Sequence, residues 1–364
     1  MDREYTSQLI RSNRLRYTPD FYSLLKQVGI EAGFWALDYR PERHVGRILA
    51  DDGIMSRYKE FEIPKKSGNG TRRIYAPTGE LKEILSCVNI ILQEKYAPGV
   101  CCTGFTRGRS VVSNASVHTE QNYVYNIDLK DFFPSITYGQ VYMALKNCPL
   151  NFSNDLAAVV SKLCCMKTID NQNYVHYVLP QGAPTSPVLS NIVCSRLDSY
   201  LSGLSSRMNV RYTRYADDMT FSSMYNAFHR HGDLLREVRR IIEGQGFSIN
   251  EEKTRLQKRG ARQEVTGLVV CEKVNVRREY IKELRTLLYI WEMYGYSDAV
   301  RRYAEKHGIQ SADEVPLKSI IRGKIQYLRM VKGASDPTYI RYQVRFDDLC
   351  GNSKPEKAYS GDLL

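Results

Sequence analysis

Apolar residues along this chain recur with a helical period in some stretches and an extended period in others. Leu81, Ile84, Leu85, Val88, Ile91 and Leu92 predict a helix with one apolar stripe. Leu189, Val193, Leu197 and Leu201 predict another, opened by Ser186 as cap and Pro187 in the first turn. Leu234, Leu235, Val238, Ile241 and Ile242 predict a third, ended by Gly244 and Gly246. Between them, strands are predicted at Val124 to Leu129, through Phe247 and Ile249, and from Val265 to Val270. Pro134 should stop any helix directly after the first of these strands. Lys65 to Pro77 reads as a basic hairpin around a Gly-rich turn. Beyond Val274 the pattern is helical and basic, with Arg277, Arg278, Lys282, Arg285, Arg301 and Arg302 among Leu284, Leu287, Leu288, Ile290 and Trp291. The segment from about Cys350 is polar and predicts a loosely held tail. The sum is an α+β chain without repeats.

The strand pattern is interrupted at Tyr215-Ala216-Asp217-Asp218, where β-formers flank two adjacent carboxylates. Asp is a poor strand residue and tolerates turns, so a hairpin with both Asp at its tip is expected. Two such side chains repel each other unless a cation holds them, and a hard divalent ion with oxygen ligands, typically Mg²⁺, is the usual remedy. Asp128 closes an apolar strand and supplies a third carboxylate. Three carboxylates from two strands suit two Mg²⁺ ions engaged in in-line phosphoryl transfer. Taken singly, a solvated turn and a strand-capping Asp are the simpler readings. In Gln181-Gly182-Ala183-Pro184-Thr185-Ser186-Pro187, Gly182 admits close approach of a ligand to the backbone and the prolines stiffen the loop.

Composition narrows the partner. With 364 residues, 43% hydrophobic and 25% charged, the chain is long enough for two or three domains of ordinary globular character. No apolar run approaches the roughly 20 residues of a membrane span, and the N-terminus has no signal-peptide core. A cytoplasmic protein without a membrane partner is expected. Nine cysteines without a Cys-x-x-Cys exclude a disulfide framework or zinc ribbon and predict reduced, mostly buried thiols. Net charge is +12, the pI is about 9.2 and 26 residues are Tyr. That balance points to a polyanion, with rings to stack on bases and cations to neutralise phosphates.

The order of these motifs resembles the reverse transcriptases: basic hairpin, Asp128 block, Gln181-Gly182 loop, Tyr-Ala-Asp-Asp hairpin, then Gly246-Phe247 and Asn250-Glu251-Glu252-Lys253. They fall within about residues 60 to 275. Asn114-Ala115-Ser116-Val117-His118 matches the Asn-Ala-x-x-His element of retron reverse transcriptases, and Val265-Thr266-Gly267 matches their Val-Thr-Gly element. The resemblance implies a right-hand polymerase fold. Its parts would be an N-terminal helical region (1–58), fingers (59–120), a palm of antiparallel sheet on helices (121–270, with a fingers insertion around 139–180), a helical thumb (271–349) and a flexible tail (350–364).

By the same resemblance Asp128, Asp217 and Asp218 are the catalytic carboxylates and hold two Mg²⁺ ions, with Mn²⁺ as a substitute and the Leu129 carbonyl as a further ligand. Lys65, Lys66 and Arg72 would meet the triphosphate of a dNTP, Arg by bidentate contact and Lys as a point charge. Phe133 would be the steric gate against a ribose 2′-hydroxyl, and Gln181 and Gly182 would line the nucleotide pocket. Lys253 would protonate the departing pyrophosphate, and Tyr215 would contact the primer end. Asn114, His118, Val265, Thr266, Gly267, Arg277, Arg278, Lys282 and Arg285 would bind RNA. The partners implied are a structured non-coding RNA serving as template and primer, its RNA–DNA product, an effector protein of an antiphage system, and a higher-order assembly with RNA. Synthesis would start at a guanosine 2′-hydroxyl and give a branched RNA–DNA. Two alternatives stand beside this. One is another bacterial reverse transcriptase: group II intron-like, diversity-generating or template-independent. The other is an RNA-binding scaffold without chemistry. The Asn114 and Val265 elements argue against the former, and the three carboxylates against the latter.

Overall fold

The computed structural model describes residues 2–50, 52–64, 70–169, 172–229, 232–311 and 315–351. The chain forms two compact units, Met1–Ser110 with Asn122–Leu256, and Val111–Gln121 with Gln257–Leu364.

In the first unit, helix Gly79–Lys95 buries Leu81, Ile84, Leu85, Val88, Ile91 and Leu92, the full predicted stripe. Helices Arg3–Ser12 and Thr18–Glu31 pack against it. Strands β1 (Tyr58–Pro64) and β2 (Thr71–Pro77) form an antiparallel ladder running from Tyr58 opposite Pro77 to Pro64 opposite Thr71. The basic hairpin therefore begins well before Lys65. Lys65 and Lys66 lie outside the described residues. After β3 (Tyr123–Leu129) come a small hairpin of β4 (Met166–Ile169) and β5 (Val175–Val178), which the apolar pattern did not predict, and then β6 (Arg211–Tyr215), β7 (Asp218–Ser223) and β8 (Ile249–Lys258). The central sheet has the order β6-β7-β3-β8. One face of it buries Ile127, Tyr212, Met219 and Phe221 together with the charged Arg214.

Local punctuation differs from expectation in three places. The predicted helix from Ser186 is two helices, Ser186–Val193 and Ser195–Arg207, meeting at Cys194. Ser186 is the first helical residue rather than the cap, and its hydroxyl donates to the Pro180 carbonyl at 2.6 Å. Pro134 does not prevent a helix but sits inside the one-turn helix Phe132–Ser135, where a first-turn N–H has no helical acceptor to lose.

The second unit holds a three-stranded sheet, β11-β10-β9, made of β9 (Glu264–Val265), β10 (Leu268–Val270) and β11 (Val274–Asn275). The strand expected from Val265 to Val270 is instead a hairpin. Leu268 pairs with Val265, and Thr266 and Gly267 both take positive φ, +48° and +81°. That conformation reverses a chain within two residues. Helix Val111–Ser116 packs on β10. Helices Arg278–Tyr294, Tyr296–His307, Leu317–Lys332 and Pro337–Leu349 follow, with Leu284, Leu288, Ile321, Ile325 and Phe346 buried. The polar tail beyond Gly351 lies outside the described residues. All nine cysteines are free thiols; Cys87, Cys102, Cys164, Cys165 and Cys194 are buried. No helix among the described residues is long and apolar enough to cross a membrane.

Candidate active site

The ladder between β3 and β7 sets Asp128 directly opposite Asp218. The ladder between β6 and β7 closes with Tyr215 opposite Asp218, leaving Ala216 and Asp217 as the two turn residues. Only Asp217 is thus at the tip; Asp218 is the first residue of a strand, a refinement of the expected turn with both carboxylates at its end. The Leu129 N–H donates to the Asp217 carbonyl at 3.1 Å, tying the turn to the end of β3.

Burial, and then the neighbouring Asp128, hold the Asp217 carboxyl above its ordinary range. Asp218 is pushed up to about 7, first by burial and then by Asp217 and Asp128. Both shifts mean that the site carries more negative charge than its surroundings solvate. Among the described residues three cations answer it, one of them Arg255, whose charge acts on Asp218. The Lys253 ammonium lies 2.9 and 3.1 Å from the two oxygens of Asp128, while the Asn250 amide donates to one of them at 3.3 Å. Arg72 on β2 adds its charge to the field at Asp217. Its neighbour Arg73 is taken up by Glu62 at 3.5 Å and Glu60 at 3.8 Å, so alternation along the strand assigns the two arginines to opposite faces.

Among the described residues no three His, Cys, Asp or Glu side chains converge into a ready-made metal cage. The donor chemistry nevertheless fits a hard divalent cation: the donors are carboxylate oxygens, and burial followed by acidic neighbours makes Asp217 and Asp218 hold protons more readily than usual.

Around the carboxylates lie aromatic rings and a loop. Phe132 is buried, whereas Phe133 is half-exposed, 5.3 Å from Phe132 and 6.1 Å from Phe105. Phe105 in turn lies 6.5 Å from Tyr215. The Gln181 carbonyl accepts from the Tyr75 N–H at 2.8 Å, which pins the Gln181-Gly182 loop to β2. A Cβ on Gly182 would stand 2.8 Å from the Tyr75 carbonyl and from Ile74, and φ there is +128°, so the loop lies against β2 only because residue 182 is glycine.

The residues singled out for RNA lie in the second unit. Asn114 and His118 are fully buried. The Asn114 amide donates to the Thr266 hydroxyl at 3.5 Å, joining the two short elements, and Thr266 donates to the Val111 carbonyl at 3.4 Å. Val265 is buried and Gly267 exposed. Arg277 is an N-cap residue paired with Glu264 at 2.5 Å. Arg278, Lys282 and Arg285 are exposed and fall on one helical face.

Sequence reading missed Asn250, Phe105 and the buried Arg214. Phe105, with φ +56°, sits in Thr103-Gly104-Phe105-Thr106-Arg107-Gly108, where an aromatic between glycines was the available signal.

Comparison with known proteins agrees with the motif order. The family model for reverse transcriptase (RNA-dependent DNA polymerase) matches residues 63–275. The Retron Ec86 reverse transcriptase of Escherichia coli is 35% identical over 237 residues, 64% of this chain and 69% of that protein. Two Myxococcus xanthus proteins, the Retron Mx65 and Mx162 reverse transcriptases, are 37% and 34% identical over 64% of this chain, which spans only 55% and 52% of their lengths. Among solved structures, a telomerase from Candida albicans in complex with a fragment of telomeric RNA aligns over 85% of this chain and 67% of its own, with 12% identity and a TM-score of 0.44, too loose a likeness to carry an argument. The mixed helix and sheet architecture is that of the right-hand reverse transcriptase fold. This chain belongs to the reverse transcriptases, and within them to the retron type, as an RNA-directed DNA polymerase.

Proposed function

We propose that this enzyme copies part of a cognate structured non-coding RNA into a short single-stranded DNA that stays covalently branched from that RNA. The start is the 2′-hydroxyl of an internal guanosine, and the product serves an antiphage system with an effector protein in the cytoplasm. The observation that carries the retron-specific part is the junction of Asn114 with Thr266. The two short elements that distinguish this type lie far apart in sequence, yet they meet through a hydrogen bond inside one packed unit. Arg278, Lys282 and Arg285 on an exposed helical face of that unit suit a phosphate backbone, read by charge and shape rather than base edges.

In this reading Asp128, Asp217, Asp218 and the Leu129 carbonyl hold two Mg²⁺ ions, with Mn²⁺ as a substitute. When bound, such ions lower the pKa of the attacking hydroxyl and neutralise the leaving pyrophosphate. The chain supplies the rest. Arg72, with Lys65 and Lys66, grips the triphosphate. Gln181 and Gly182 floor the nucleotide pocket against β2, and Phe133 excludes a 2′-hydroxyl. Tyr215 seats the primer end. Lys253 already stands at the carboxylates, where a proton is needed by the departing pyrophosphate. The N-terminal helices, fingers, palm and thumb follow the residue ranges the resemblance implies.

The test is to express the chain with its flanking locus, extract nucleic acid, and treat it with RNase and with debranching enzyme. A DNA of fixed length, linked to RNA and absent when Asp217→Ala is combined with Asp218→Ala, is expected. Unlinked DNA alone from the wild type sinks the branched-product reading.

A further inference from the structure

We propose that Arg214 is a positioning residue for the carboxylate turn: its buried guanidinium, clamped by Asp198 and Asn191, holds the Ala216 carbonyl and thereby sets where Asp217 and Asp218 point. This rests on the reading of Asp217 and Asp218 as reaction-centre carboxylates.

Arg214 has no solvent exposure at all, in a chain whose other arginines are mostly on the surface. Its Nε and Nη2 donate to the two oxygens of Asp198 at 2.8 and 2.7 Å, a bidentate pair. The Tyr212 hydroxyl donates to the same carboxylate at 3.0 Å. Nη1 and Nη2 each reach the Asn191 side-chain oxygen at 3.3 Å, and Nη2 also reaches the Cys102 sulfur at 3.2 Å. The remaining direction of Nη1 is spent on the Ala216 carbonyl at 3.2 Å.

A buried ion pair is a poor device for stability, because desolvation of both charges offsets their attraction. What it can provide is fixed geometry, and the place where the geometry is delivered is informative. Ala216 takes φ +58°, a left-handed conformation disfavoured for a residue with a Cβ, at the first of two hairpin-turn positions where glycine is usual. The fork of Arg214 holds the carbonyl of that residue, one peptide before Asp217.

A second contact closes the turn from the other side. The Asn191 amide donates to the Gly104 carbonyl at 2.9 Å, and the Gly104 and Thr103 N–H groups donate to the Arg214 carbonyl at 3.4 and 2.8 Å. Gly104 thus lies flat against the turn. A Cβ there would stand 2.5 Å from the Ala216 nitrogen and 2.9 Å from the Tyr215 carbonyl carbon. The turn is gripped between a guanidinium inside and a glycine backbone alongside.

The test uses Arg214→Lys, which keeps a charge but loses the planar fork, and Gly104→Ala, which leaves every charge in place and presses on the turn. Thermal unfolding, Mn²⁺ affinity by titration, and kcat and dNTP KM on a primed RNA template are measured for both. The expected result is retained cooperative unfolding, kcat about 100-fold lower, Mn²⁺ bound about tenfold more weakly and a dNTP KM within about twofold of wild type. Wild-type kcat and Mn²⁺ affinity in either folded variant overturn the proposal. So does loss of cooperative unfolding in both, which would make the cluster a matter of stability alone. Asp217→Ala with Asp218→Ala is run alongside: polymerisation there would remove the reading of the carboxylates themselves, a failure distinct from that of Arg214.

Discussion

Asp198 and Asp128 each sit against a cationic side chain in the same unit, yet the two pairs live in different media. Asp198 and its partner Arg214 are almost wholly removed from water, with side-chain exposures of 7% and 0%. Asp128 is 20% exposed and its partner Lys253 is 56% exposed. The first pair is bidentate and surrounded by further donors and acceptors, so neither charge can leave without stranding the other. The second joins a carboxylate to a compact, hydrated point charge on a flexible stem, and one cation there can give way to another. The chain places a buried ion pair beneath the turn and, in the proposed reading, an exchangeable one at the reaction centre. In that reading burial, not the identity of the acid, separates scaffold from chemistry.

Four measurements press on that contrast. The largest effect is expected from Asp128→Asn: polymerisation falls by about 1,000-fold or more, since in the proposed reading a carboxylate that would hold the divalent ions is lost, while denaturant unfolding shifts by less than about 1 kcal/mol. A large loss of stability there would erase the distinction. Asp198→Ala should behave in the opposite way, lowering stability by about 3–5 kcal/mol in chemical denaturation because it leaves an uncompensated buried guanidinium. Next comes Lys253→Met. Its kcat should drop about 100-fold with a change in the basic limb of the pH–rate profile, and its unfolding midpoint should stay near that of wild type; an unchanged kcat removes Lys253 from proton transfer.

The smallest effect concerns pH in the presence of a chelator. Asp217 and Asp218 hold protons more tightly in the folded chain than their ordinary value of 3.8 allows. The stability this contributes is complete below that value and is lost as pH rises through about 7, the folded value for Asp218. Chelated wild type should therefore lose more thermal stability between about pH 4 and pH 8 than Asp218→Asn does, and added divalent ion should narrow the difference. Parallel profiles for the two proteins would show that the pair is not strained.

Much of this is legible in the sequence. The strand ending at Asp128, the Tyr-Ala-Asp-Asp hairpin and the stripe on helix Gly79–Lys95 follow from period and turn chemistry, which are local properties. What escaped was non-local. Arg214 lies in Arg-Tyr-Thr-Arg-Tyr, where period-2 reading would expose one face, but Tyr212, Thr213 and Arg214 are all buried because β6 is covered on both sides. Asp198, sixteen residues earlier on another element, supplies the counter-charge that makes that burial tolerable. The Thr266-Gly267 reversal reads as continuous strand in the sequence because apolar residues flank it on both sides, and Thr is a strand former. Cys194 divides a helix whose apolar spacing continues across the break, so periodicity alone could not find it. Lys65 and Lys66 fall outside the described residues, so their grip on a triphosphate stands on the motif.

The assignment of Val111–Gln121 to the second unit has a practical consequence for anyone dissecting this protein with scissors at the gene. A fragment beginning at Gln257 carries, among the described residues, four long helices and three short strands but lacks the helix that packs on β10 and the Asn114 that holds Thr266. A deletion ending near Gln257 leaves that helix behind without its sheet. The second unit is separable only as two pieces supplied together, or as a permuted chain in which 111–121 is spliced onto 257–351 by a new linker.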